Sequence, residues 1–522
     1  MCIRDRSTDP RLSRWRDARG LPYRAALMTT RRPADGPSPI GPSPIPAPPL
    51  PAPAPGERYR PSGSRAGALS VPEVVSTWLP LAGSWILMGL ELPVVSAAMA
   101  RMSHATVSLA AYGGVVFPLA LLIESPILML LTASTALARD RHSYLVVRRF
   151  MFVAAGLLTV LHAVLAFTPL FDWVAGAVIG VPEPVREPAR IGLRIMLPWT
   201  LSIAYRRTQQ GVLIRFGRAR AVTWGTLVRL TTLVALLGAG LAYGALPGIV
   251  VGTVAVASAV VAEGVFAGFA VRPVLRGALA ADATASDVAA PPAPPDAATP
   301  SGGAAPAAPQ LTMSRFLRFY APLSVTPLLN FLALPLSAAA MSRMPNALES
   351  LATWPVLSGS TFTVRSLGFA FNEVVVSLMD RGRPVPALRR FAWGLSAAAL
   401  AILLVGAATP LGAWWFERAS ALPAGLALMA RQSLWFLVPM GAVSVWQSYH
   451  QGMLVHAHRT RAITESMLVL LVAHVTVLGV GVAWHSVPGL AFASLGLTAG
   501  GLAQIAWLAR RSHPLRHPVN AG

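Results

Sequence analysis

LPVVSAAMARMSHATVSLA occupies Leu92–Ala110, and LPLSAAAMSRMPNALESLA occupies Leu334–Ala352. At a register shift of 242, 11 of the 19 positions are identical. A second pair follows the same register. YRRTQQGVLIRFGRARAVT at 205–223 meets WQSYHQGMLVHAHRTRAIT at 446–464, at a shift of 241 with 7 of 19 identical. Between them, Thr168-Pro169-Leu170 returns as Thr409-Pro410-Leu411, and Pro198 as Pro439. Apolar segments share Ala and Leu through composition alone. A near-constant shift that also aligns Pro, Arg, Met and Gln-Gly needs another cause, namely two copies of one unit of roughly 200 residues.

The chain has 522 residues, 54% hydrophobic and 12% charged. A soluble protein carries about 25% charge. Apolar runs of about 20 residues recur, the length that crosses a hydrocarbon core. Continuous runs mean helices, whereas barrel strands alternate. The expected fold class is therefore an all-α polytopic membrane protein with 12 transmembrane helices in two parallel six-helix repeats. The spans are expected at 73–99, 105–134, 146–169, 188–209, 221–244 and 249–271, then 316–342, 347–378, 389–412, 424–449, 462–484 and 487–509. This divides the chain into a disordered Arg/Pro-rich N-terminus (1–70), a first half (71–272), an Ala/Pro-rich cytoplasmic linker (273–312), a second half (313–510) and a tail (511–522). The opening MCIRDR resembles a sequence-assembly artefact, with Met28 as an alternative start, and no signal-peptide pattern precedes the first span.

The net charge is +22, and every basic residue is Arg. The arginines gather at alternate helix ends, as in Arg139, Arg141, Arg148 and Arg149, or Arg381, Arg383, Arg389 and Arg390. That pattern fits topology and lipid headgroups rather than nucleic acid. The basic side is expected to be the cytoplasmic face of a bacterial inner membrane, with both termini inside. The opposite loops hold few charges, among them Arg101 and Arg343. The lone Cys2 excludes an intramolecular disulfide and a CxxC metal site.

A charge at membrane depth costs at least ~2.5–3.5 kcal/mol, so it is usually paired or faces water. Glu91 lies inside the first span, one residue before the duplicated Leu92-Pro93, and its counterpart is Ala333. Pro93 and Pro335 are expected to loosen the first helix of each half. A carboxylate beside a broken helix suits proton or Na⁺ coupling; the plainer reading is a structural partner for a neighbouring Arg. Glu124 precedes Pro126 deep in the second span, and Arg365 adjoins its counterpart Ser366. The two are expected to face a shared cavity, against the plainer readings of a pair within one half or a snorkelling Arg. Asn372 and Glu373 sit toward the cytoplasmic end of the eighth span. Arg206, Arg207 and Gln210 cluster on the fourth, where the second half has neutral Gln447 and Gln451 at the places of Arg206 and Gln210. Guanidinium forks match carboxylate and phosphate oxygens, which points to an anionic substrate; ordinary positive-inside topology competes with that reading. Arg194 and Arg229 lie deeper, while Glu263 and His474 read as lone buried groups satisfied locally.

No P-loop, HExxH, GxSxG or paired loop acids occur. The non-cytoplasmic loops are too short for a catalytic domain. No cofactor is expected. The expected partners are membrane lipids and a small anion, and the expected assembly is a monomer. Rival readings are a cation-coupled drug exporter, a flippase for lipid-linked sugars, a membrane-embedded enzyme and a non-transporting scaffold.

GLELPVVSAAMARM with SLAAYG (89–113), LARDR (137–141), QGVLIRFGRAR (210–220) and GFAFNEVVVSLMDRGR (368–383) together resemble the multidrug/oligosaccharidyl-lipid/polysaccharide (MOP) exporter superfamily, which includes the MATE transporters. Within it they are most similar to the progressive ankylosis (ANK) family. The resemblance covers 73–272 and 313–510. It implies a MATE-like fold with 6+6 spans and export of small polyanions by alternating access. It places the family's first-span Glu on Glu91 and a late eighth-span Glu on Glu373, and it departs at Ser96, where an Arg is expected.

Overall fold

A computed structural model of the chain describes residues 69–277, 279, 310–381 and 384–516. Most of the N-terminal segment 1–70 and of the linker 273–312 lies outside them, as do the second half of the tail 511–522 and Arg383. Every regular element among the described residues is helical. The first half holds α1 (Val71–Met99), α2 (Ala105–Leu137), α3 (Arg141–Phe167), α4 (Glu183–Ile195 continued by Leu197–Arg215), α5 (Ala219–Tyr243) and α6 (Gly248–Arg276). The second holds α7 (Met313–Met341), α8 (Ala347–Leu378), α9 (Pro384–Ala408), α10 (Ala424–Leu437 and Met440–His456), α11 (Arg461–Trp484) and α12 (Gly489–Arg516).

Nine of these are long and apolar enough to cross a membrane, and the two pieces of α10, bent by 41°, make a tenth. The remaining two are α4 and α8. They fall short in apolarity because they carry Arg206, Arg207, Gln209 and Gln210, and Arg365, Asn372 and Glu373. Polar groups at such depth must be satisfied inside the protein. Large apolar side chains such as Leu157, Val160 and Val472 stand exposed on the outer surface, as lipid contact requires.

The sequence repeat is a structural repeat. Thr168 ends α3 by donating to the Val164 carbonyl at 2.7 Å and accepting from the Leu170 amide at 3.3 Å. Thr409 ends α9 identically, donating to Val405 at 2.7 Å and accepting from Leu411 at 3.3 Å. Each is followed by a π-helical turn, Trp173–Ile179 and Trp415–Ala419. The duplicated Gln-Gly has a packing cause. A Cβ on Gly211 would lie 2.5 Å from the Leu131 carbonyl of α2, and one on Gly452 would lie 3.0 Å from the Asn372 carbonyl of α8. Only glycine lets these backbones approach so closely.

The halves meet about a local two-fold axis. Gly113 and Pro355 are repeat equivalents, and they touch: a Cβ on Gly113 would lie 2.4 Å from the Pro355 ring. A residue contacts its own counterpart only near such an axis. The N-terminal parts of α1 and α7 each cross to the opposite half. Trp78 of α1 donates to the Leu367 carbonyl at 3.0 Å and packs against Phe391. Tyr320 of α7 donates to the Pro126 carbonyl at 2.5 Å, and Phe150 of α3 packs on Phe316 and Tyr320.

Candidate functional site

Helix α1 is interrupted at Leu90. Pro93 has no amide hydrogen, so the Gly89 carbonyl four residues back loses its intrahelical donor. Thr363 of α8 supplies the replacement, donating to Gly89 at 2.8 Å. The break therefore binds the first half to the second and places Glu91 at its edge. Glu124 stands at a matching break in α2, where Ser125–Ile127 tightens into a 3₁₀ turn and Ser125 Oγ donates to the Leu122 carbonyl that Pro126 leaves free. Pro335 does not act in this way: α7 runs unbroken from Met313 to Met341, correcting the expectation of a second loosened helix. A transmembrane proline is tolerated where local adjustment and neighbouring helices re-satisfy the backbone.

Charged residues from four helices of the first half form one buried cluster around Glu263 of α6, whose side chain is 1% exposed. Arg206 of α4 donates Nη1 to Glu263 Oε2. Gln210, one turn on, donates Nε2 to Oε1 at 2.9 Å. From α5, Arg229 places Nε 3.5 Å from Glu263 Oε2 and Nη1 3.1 Å from Glu91 Oε2. Four helices are thus tied by one ion-paired chain of charges, with Arg229 shared between two carboxylates. Gly225, one turn before Arg229, packs against Glu263: a Cβ there would make ordinary contact, 3.5 Å from Glu263 Cγ.

Arg207 and Glu124 border this cluster and feel each other's charge. Arg207 is half-buried, forms no ion pair among the described residues, and its Nε has no hydrogen-bond partner. Glu124 is fully buried, and neither of its oxygens accepts a hydrogen bond of ordinary geometry. Thr200 lies near it, but the Thr200 hydroxyl meets His162 Nδ1 at 3.1 Å. The cluster and its border hold three glutamates and three arginines, so their formal charges balance.

The second half repeats this geometry without charge. Gln447 donates to Gln504 at 2.7 Å, and Gln504 donates to Ser466 Oγ at 3.2 Å. These three residues stand at the repeat positions of Arg206, Glu263 and Gly225, while Arg229 is matched by Leu470. His474 and Ser337 form their own pair at 2.8 Å. The one guanidinium deep in α8 is Arg365. It is half-buried, lies 5.3 Å above the Phe369 ring, and forms no ion pair among the described residues. Glu373, two turns along the same face, is exposed and accepts from Trp85 Nε1 of α1 at 3.3 Å. Asn372 is half-buried. The structure does not bring Glu124 and Arg365 together: the cations near Glu124 are Arg206 and Arg207.

Sequence reasoning thus located Glu91, Glu124, Arg206 and Arg207. It singled out Arg229 without a partner, and it passed over Glu263 as the hub. The missing signal was in the repeat, since Glu263 aligns with Gln504 just as Arg206 aligns with Gln447.

No family model matches the chain, and no curated protein matches it. Solved structures do. An inward-facing multidrug resistance MATE transporter of the MOP superfamily superposes with a TM-score of 0.64 at 15% identity, over 84% of this chain and 99% of that one. The lipid II flippase MurJ, in an inward closed conformation, gives 0.58 at 11% identity over 83% and 87%. A MOP-superfamily transporter from Pyrococcus furiosus, whose binding pocket has reverse polarity, gives 0.55 at 17% identity over 86% and 100%. The chain has the MATE-like fold of a multi-pass membrane protein.

Proposed function

We propose that this protein is a secondary transporter that exports a small organic or phosphate-bearing anion by alternating access between its two halves. The observation that carries the anionic reading is Arg365, a guanidinium at membrane depth beside the contact between α1 and α8 with no carboxylate partner among the described residues. A guanidinium left unpaired in such a place is costly unless an anion or water reaches it. Arg207 is the second such group, on the first half. Arg206 and Gln210 are engaged by Glu263, so their part is to hold the cluster and set the local potential. Asn372 and Glu373 extend the Arg365 face toward the end of α8.

Coupling is assigned to Glu91, the only member of the central chain within reach of both a helix break and the seam. Protonation or Na⁺ binding at Glu91 would weaken its hold on Arg229, leaving Arg229 to Glu263. Glu124 and Glu373 are subsidiary titratable groups on this reading. On this reading the arginine-rich loops face the cytoplasm of a bacterium, both termini lie on that side of its inner membrane, and the protein works as a monomer.

Uptake into inside-out vesicles, measured for a panel of radiolabelled citrate, pyrophosphate and nucleotide anions, tests this reading. Gradient-driven uptake is expected for wild type, little for Arg365→Gln, and none coupled to the gradient for Glu91→Gln. Equal uptake by wild type and Arg365→Gln would remove the anionic reading.

A further inference from the structure

The repeated stretch, Leu92–Ala110 and Leu334–Ala352, carries an arginine at the same place in each copy, Arg101 and Arg343, and both arginines do the same thing. Arg101 donates Nη1 to Ala97 of its own helix at 2.7 Å. Its Nη2 donates across to the opposite half, to the carbonyls of Arg418 at 2.8 Å and Ala419 at 3.0 Å. Arg343 donates Nη1 to Ala339 of its own helix, also at 2.7 Å. It reaches across to the carbonyls of Ala177 at 3.0 Å, Val178 at 2.8 Å and Ile179 at 2.9 Å. In the repeat register, Arg418 and Ala419 are the counterparts of Ala177 and Val178. The two contacts are one contact made twice, in opposite directions across the local axis.

The acceptors are helix ends. Each π-helical turn stops where the chain turns into the left-handed region, at Gly180 (φ +78) and at Ala421 (φ +55). Carbonyls just before such a stop lack intrahelical donors and carry the negative end of the helix dipole. A guanidinium offers several donors in one plane, which suits a row of such carbonyls. Both arginines are exposed, and neither has a carboxylate partner among the described residues. Water can therefore take over every bond on release, and no charge is stranded. That distinguishes them from the Arg206–Glu263 pair, whose separation would leave two charges buried.

We infer that Arg101 and Arg343 form a reciprocal clasp that holds the two halves together on the face opposite the arginine-rich loops, and that its release opens that face. The clasp rests on the alternating-access reading but not on the anionic substrate. Its retention in both copies explains why this stretch is the better preserved part of the duplication.

The test is a distance measurement across that face in the full chain. His104 and Asn346 are exposed repeat equivalents, each a few residues past one arginine. With Cys2→Ser, His104→Cys and Asn346→Cys, spin labels are attached and their separation is measured by pulsed electron resonance in lipid nanodiscs. Wild type is expected to give one dominant short separation. Arg101→Gln with Arg343→Gln should add a longer population, each single change a smaller one, and the two lysine replacements an intermediate one. If the wild type switches between two separations and the glutamine variants keep its proportions, the clasp fails while alternating access stands. If neither wild type nor any variant shows a second separation, alternating access fails with it. Should the double variant not fold, the single variants decide by the same comparison.

Discussion

Arg206 and Glu263 stand 57 residues apart and form an ion pair; Gln447 and Gln504 also stand 57 residues apart and form an amide pair. One contact between the fourth and sixth helices of the repeated unit keeps its geometry in both copies and is charged in only one of them. Removing one partner of a buried ion pair costs ~3–5 kcal/mol, because the other charge stays behind. Glu263→Gln should therefore lower the melting temperature sharply, since Arg206 loses its carboxylate and Arg229 keeps only Glu91. Adding Arg206→Gln rebuilds the pairing of the second half and should recover most of that loss. A double variant that melts no higher than Glu263→Gln alone would show that the pairing is not what matters.

Glu91 tests a different property. Its partner Arg229 also lies beside Glu263, so Glu91→Gln leaves no arginine of the cluster without a carboxylate neighbour and should lower melting less than Glu263→Gln does. What should be lost is the link between ion and substrate. Coupling free energies of this kind change affinity by roughly 5–150-fold. Exchange of unlabelled for labelled substrate should survive in the variant while accumulation driven by a proton or sodium gradient disappears. Undiminished accumulation under either gradient would move coupling elsewhere, with Glu124 the next candidate.

The fold was legible because the duplication could be read twice. Span boundaries at 105, 347, 424 and 484 follow directly from the apolar runs. The α3 start did not, because Asp140 and Ser143 cap the helix at Arg141, inside a stretch that reads as an arginine-rich loop. The acids and bases of the site were visible as charges out of place, but their pairing was not. Arg229 meets Glu91 and Glu263 through helix rotation and tilt, which no spacing rule encodes. Pro335 misled for a related reason: whether a proline breaks a transmembrane helix depends on neighbours that the sequence does not show.

Arg365 should behave as a binding group rather than a structural one. It contributes to no ion pair among the described residues, so Arg365→Gln should change melting little. A charged hydrogen bond contributes ~1.5–3 kcal/mol, and losing one should raise the half-saturating anion concentration by about ten- to a hundredfold. Arg365→Lys keeps the charge without the planar fork and should fall between. A variant with unchanged half-saturation and a lowered melting temperature would reassign Arg365 to packing against Phe369.

The duplicated glycines offer the most direct check on the packing that positions the α8 face. A Cβ on Gly452 would stand 2.7 Å from Val375 Cβ and 3.0 Å from the Asn372 carbonyl, and a shift of α8 to relieve this would move Asn372 and Glu373 with it. Overpacking of this kind costs ~1–3 kcal/mol. Gly479, inside α11, has nothing within 4 Å of the same added atom. There an alanine should be neutral or stabilising, since glycine in a helix costs ~0.5–1 kcal/mol relative to alanine. Gly452→Ala should therefore melt lower than wild type and transport more slowly, while Gly479→Ala melts at or above it. Equal melting of the two variants would mean that α8 and α10 are held apart more loosely than the close approach at Gly452 requires.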